Sequence, residues 1–166
     1  RGFGFASNSL SRSVAVAPHL DRLAMLYYVE KRFADAEPLY RRSLAIWEAS
    51  MGHNNPDLAT TLDNLAVVLA SQDKFDEAEP LYRRSLALRQ TTLVAGLNNL
   101  AMTLEGKGQD LAAERHYKQA VALAEKLPDT ALLAFTLHNY AGLLRRLKRD
   151  PEARRLESRA KTLEKP

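Results

Sequence analysis

The chain has 166 residues, is 46% apolar, and carries 24 Lys plus Arg against 20 Asp plus Glu, a formal charge of +4. That balance suits one folded domain or a short repeat array and excludes a disordered tail, and the mild charge favours solubility without announcing nucleic acid. There is no cysteine, which excludes disulfides and thiolate metal sites and fits a cytoplasmic location.

Residues 1–17, RGFGFASNSLSRSVAVA, open at Arg1 rather than methionine and lack the apolar core of about 7 to 15 residues that a secretory signal needs. They read as an N-terminal extension or a partial preceding helix, at a boundary within a longer protein. The longest apolar runs, such as LAVVLA at 65–70, are far short of the roughly 18 residues of a membrane span.

From residue 18 onward the sequence repeats itself. AEPLYRRSLA stands at 36–45 and, unchanged, at 78–87, and Leu20, Leu23 and Ala24 match Leu62, Leu65 and Ala66 at the same offset of 42. Weaker copies follow at 97–123 and 137–160. Each copy holds two apolar stripes of helical period, for example Leu58, Leu62, Leu65 and Leu69 followed by Ala78, Leu81 and Leu86. The turns between the stripes (71–74, 106–110, 148–150) are short enough to force antiparallel neighbours.

Small residues recur where two helices must approach closely: Ala24, Ala66, Ala101 and Ala141 on first helices, and Ala36, Ala78, Ala113 and Ala153 on second helices. Tyr40, Tyr82 and Tyr117 then fill the space one turn on. Pro38 and Pro80 are expected in the first helical turn or at its edge, where a missing amide costs little.

This alternation of small and bulky positions resembles the tetratricopeptide repeat. AEPLYRRSLAI, HNNPDLATTLDNLA and the 42-residue period resemble in particular its kinesin light chain type. The resemblance covers about residues 18–164 and implies an all-α array of about four antiparallel helix hairpins, eight helices, in a right-handed superhelical solenoid. The repeats would run over about 18–50, 56–91, 93–126 and 129–164. The last has Glu157 in place of the tyrosine and a narrow apolar stripe, which suits a C-terminal cap with little folded structure after it.

The spacing of the second-helix alanines is 42, then 35, then 40. The short middle step lacks a counterpart of GHNNPDL. Either seven residues are truly deleted, or a flexible loop belongs between Leu93 and Val94 and is missing from the 166 residues; the abrupt end of RQTTL favours the loop.

No catalytic constellation is present. His19, His53, His116 and His138 lack metal-ligand spacing, and no phosphate-binding loop or nucleophile motif occurs. The expectation is a non-enzymatic chain without cofactors, without nucleic acid or membrane as partner, whose ligand is a protein or peptide. The decapeptide belongs to second helices, so it reads as scaffold.

Function is expected on the face of the first helices, set by phase around the small alanines: Asp21, Arg22, Met25 and Tyr28; Asp63, Asn64, Val67 and Ala70; Asn98, Asn99, Met102 and Glu105; His138, Asn139, Gly142 and Arg145. Asn64, Asn99 and Asn139 share one register, and carboxamides there can hold the backbone of an extended peptide or else tie neighbouring helices together. Arg22 interrupts that register in the first repeat. Arg145 makes the last repeat basic and Asp21 with Asp63 make the first half acidic, so the peptide-binding candidates are Asn64, Asn98, Asn99, Asn139, His138, Arg145, Asp63 and Met102. The alternatives are a self-associating structural module, giving a homo-oligomer, and a regulatory segment of a larger enzyme or signalling protein.

Overall fold

The computed structural model describes residues 4–53, 55 and 57–164. Residues 1–3 of the expected extension, and Asn54 and Pro56 of the expected turn, lie outside them. Among the described residues there are seven helices and no strand: α1 (Gly4–Val29), α2 (Phe33–Met51), α3 (Leu58–Ala70), α4 (Phe75–Gly106), α5 (Asp110–Ala124), α6 (Thr130–Arg146) and α7 (Asp150–Leu163). They group into two compact units, Arg1–Arg89 and Gln90–Pro166.

Four hairpin turns share one stop signal. Lys31, Asp73, Gly108 and Lys148 take the left-handed conformation at φ 61°, 59°, 72° and 59°. In each, the next residue's amide reaches back five positions: Arg32 N to Tyr27 O at 2.9 Å, Lys74 N to Leu69 O at 3.0 Å, Gln109 N to Leu104 O at 2.9 Å and Arg149 N to Leu144 O at 2.8 Å. These Schellman closures satisfy carbonyls at the helix end and reverse the chain within a few residues.

In the first unit α1 packs on α2 and α2 on α3. Ala24, Ala36 and Ala66 are 0% exposed and Ala78 1%, so the small positions lie at the close approaches, and Tyr40 at 1% fills the gap between them. Ser43 Oγ donates to Ala17 O at 3.2 Å and Ser85 Oγ to Ala59 O at 2.9 Å, one turn of the decapeptide serving the same purpose in both copies. Pro38 lies inside α2, in its second turn rather than its first. Its missing amide there removes a single bond to the first turn.

In the second unit α5 packs on α6 and α6 on α7. Ala101, Ala113, Ala141 and Ala153 are again buried, and Tyr117 stacks on Tyr140 with ring centroids 5.9 Å apart. Tyr140 Oη donates to Glu114 Oε1 at 2.9 Å, and Lys118 and Arg149 close on the same carboxylate at 2.8 Å. The Lys118 hydrogen bond, with those of Arg149 and Tyr140, holds the Glu114 carboxyl down at about 2 against the opposing effect of burial.

The expected interruption between Leu93 and Val94 is not found: α4 continues through both without a break, taking the place of two of the eight expected helices. The reason is local. The first connection contains Gly52 at φ 80°, whereas ALRQTTLVAGLN at 87–98 has no proline and a lone glycine, so nothing ends the helix. In these 166 residues α4 runs on where the other repeats place a turn.

Candidate functional site

In the first unit, an open cavity of about 410 Å³ is lined by Asp21, Arg22, Met25, Leu26, Tyr40 and Asn64. Four of these, Asp21, Arg22, Met25 and Asn64, are positions that helical phase places on the first-helix face, and α1 and α3 bring them together. Met25 and Leu26 are exposed at 47% and 61%, an apolar floor open to solvent. Asp21 Oδ2 accepts from Thr61 Oγ1 at 3.4 Å, but its Oδ1 is buried and has no hydrogen-bond partner. An acceptor in that condition favours a ligand that brings a donor. Leu26 is not among the sequence candidates; it lies one position beyond the register that picks them.

Asp63 is tied to Arg89 at 2.6 Å, which offsets much of its charge. The acidic character of this unit's face therefore rests on Asp21 more than on Asp63.

The second unit arranges its candidates differently. Asn98 is 1% exposed and donates through Nδ2 to Thr136 Oγ1 at 2.9 Å, so it ties α4 to α6. Asn99, one residue and about 100° further round the helix, is exposed. Asn139 is half-buried on α6, and its Nδ2 donor is buried without a partner. Met102 and Phe135 are exposed at 49% and 55%. His138 Nε2 lies 3.1 Å from Glu164 Oε1. Arg145 is held in a two-pronged pair by Glu157 at 2.6 and 2.7 Å, so the residue that replaces the expected tyrosine on α7 neutralises the basic position on α6.

Among the described residues no group of three or more His, Cys, Asp or Glu is placed to hold a metal ion, and no helix is long and apolar enough to cross a membrane.

Hairpins of this kind, with small residues at the crossings and an exposed first-helix face, define a repeat protein. The tetratricopeptide repeat model matches residues 14–91 and 92–163, and the chain belongs to that family. Such repeats generally mediate protein–protein interaction and are typically non-catalytic scaffolds. Among solved structures the chain is similar to BtubC (BKLC) from P. vanneervenii, at 23% identity over 89% of this chain and 63% of that one, with a TM-score of 0.43. It thus spans less than two thirds of that relative. It is also similar to a putative kinesin light chain with nearly identical TPR-like repeats from Podosopora anserina, at 20% identity over 93% of this chain and 83% of that one, TM-score 0.44. A second structure of the latter, carrying one substitution, gives the same identity and TM-score over 93% of this chain and 82% of that one. No curated protein matches the chain.

Proposed function

We propose that the chain is a protein-interaction module that holds a peptide segment of a partner protein on its first-helix faces, with the second helices as scaffold. The observation that carries this reading is the cavity of the first unit, where Asp21, Arg22, Met25 and Asn64 converge around an unpartnered buried acceptor. A fitting segment brings an apolar side chain to Met25 and Leu26, a hydrogen-bond donor to Asp21 and a backbone amide group to Asn64. On the second unit's own face, Asn99 and the unpartnered amide of Asn139 offer donors to a peptide carbonyl beside Phe135 and Met102. Arg145 is left to a positioning role because Glu157 holds it.

Selection of a random displayed peptide library on the wild-type chain tests this. Enriched peptides are expected to bind the Asn64→Ala, Met25→Asp double variant at least about tenfold more weakly, a loss of one good contact or more, while its helicity is unchanged. No enrichment, or equal affinity for the double variant, would overturn the reading.

A further inference from the structure

The first two repeats carry an aspartate at the same place on their first helix, Asp21 on α1 and Asp63 on α3, 42 residues apart. Their surroundings differ. Asp63 Oδ2 accepts from Arg89 Nη2 at 2.6 Å, the arginine reaching across from α4. The residue 42 positions before Arg89 is Trp47 on α2. Trp47 packs against the core of the unit and brings an apolar ring where the other copy brings a guanidinium.

Asp21 is left with little in its place. Its Oδ2 accepts one long hydrogen bond from Thr61 Oγ1 at 3.4 Å, and its Oδ1 is buried with no partner. Among the described residues no cation pairs with it. Its charge is felt across the cavity: burial first, and then Asp21, push the Tyr40 hydroxyl up to about 12. A carboxylate drawn out of water without a counter-charge is costly, and a cation supplied from outside relieves that cost. Rotation about the Cβ–Cγ bond, a torsion with broad preferences, turns Oδ1 toward such a cation.

The walls suit the stem of a basic side chain. Met25 and Leu26, 47% and 61% exposed, and the ring of Tyr40 give an apolar lining beside Asp21 in the cavity of about 410 Å³. Lysine and arginine lay their methylenes along surface of this kind while the charged end finds a polar partner. Arg22 also lines the cavity, is exposed, and among the described residues has no ion-pair partner. It repels a second cation and attracts a carboxylate beside the first.

We infer that the segment held on the first unit is anchored by a single lysine or arginine, whose charged end pairs with Asp21 as Arg89 pairs with Asp63, with an acidic residue next to it for Arg22. This rests on the peptide-binding role proposed above and adds the chemistry of the ligand. The first repeat takes from its partner the cation that the second repeat supplies for itself.

A displayed library of random short peptides, sorted on the wild-type chain and on Asp21→Asn with circular dichroism on each variant, tests the inference. Peptides enriched on the wild type are expected to share a lysine or arginine flanked by aspartate or glutamate. Synthetic copies with norleucine for that lysine, or citrulline for that arginine, should bind the wild type at least about tenfold more weakly. On Asp21→Asn the basic and neutral copies should bind alike, because the charge they would meet is gone. Trp47→Arg, which gives the first copy the arginine of the second, should weaken the basic peptides in the same way. Should that variant lose helicity, Asp21→Lys replaces it and is expected to enrich peptides with an acidic residue at the shared position. Enriched peptides without a basic residue, or a basic preference equally strong on Asp21→Asn, would overturn the inference and leave the peptide-binding reading standing. No enrichment on either chain would overturn both.

Discussion

The same ten residues stand at 36–45 and at 78–87, yet Tyr40 is buried and Tyr82 is 40% exposed. Identical local sequence gives identical local structure: both copies are helical, both seat their alanine against a first helix, and both send a serine hydroxyl to a carbonyl of the preceding helix. What differs is cover within the unit: α3 packs over Tyr40, whereas the unit of Tyr82 ends at Arg89. In a repeat protein the energetic role of a residue is thus set by its neighbours along the array as much as by its own identity.

The largest effect that separates the copies is a cavity. Tyr40→Ala is expected to destabilise the first unit by about 3 to 5 kcal/mol, the range for removing a large buried ring. Tyr82→Ala should cost about 1 kcal/mol, as for most partly exposed positions. Urea unfolding of the two variants checks both figures, and equal losses would break the comparison.

Acid tests Glu37 and Glu114 next. Burial pushes the Glu37 carboxyl up, but hydrogen bonds from Lys74, Gln72 and Arg41 outweigh it and hold the group at about 2, below its usual 4.5. Glu114 behaves alike. A depressed carboxyl stabilises the fold fully above its unfolded pKa and loses that contribution as pH falls toward the folded value. The melting temperature should therefore drop between about pH 4.5 and pH 2, with Glu37→Gln and Glu114→Gln each flattening that slope.

At neutral pH the same substitutions sharpen the contrast on a smaller scale. Glu37→Gln should cost about 1 to 2 kcal/mol, since it weakens charge-assisted bonds to three partners. Glu79→Gln, which loosens an exposed pair with Arg83, should cost about 0.3 to 0.5 kcal/mol. Comparable in size to the last are the entry turns: Lys31→Gly and Asp73→Gly each relieve a left-handed backbone and should gain about 0.5 kcal/mol. The two gains are expected to be equal in thermal melts, because the copies differ in their cover and not in how the chain enters them.

Much of this is legible in the sequence. All eight small alanines of the hairpin crossings are buried where the period of the repeat puts them, and the turn positions follow. Tyr82 is not legible, because its motif is identical to that of Tyr40 and burial depends on a helix elsewhere in the chain. The continuity of α4 is not foretold by the repeat period, which puts a turn there, although a stretch free of proline simply propagates as helix. On the candidate face, phase picks out Asp21, Arg22, Met25 and Asn64 correctly as neighbours. It cannot separate Asn98 from Asn99, whose fates differ by one helical step, nor foresee that Glu157 binds Arg145 from the facing helix.

Hydrogen exchange on the two copies tests most directly the claim that cover, not sequence, sets their roles. Their shared residues have the same intrinsic exchange rates, and the flanking residues let peptides from 33–51 and 75–90 be told apart by mass. The first copy, covered by α3, is expected to be the better protected. Equal protection of both copies would contradict the account.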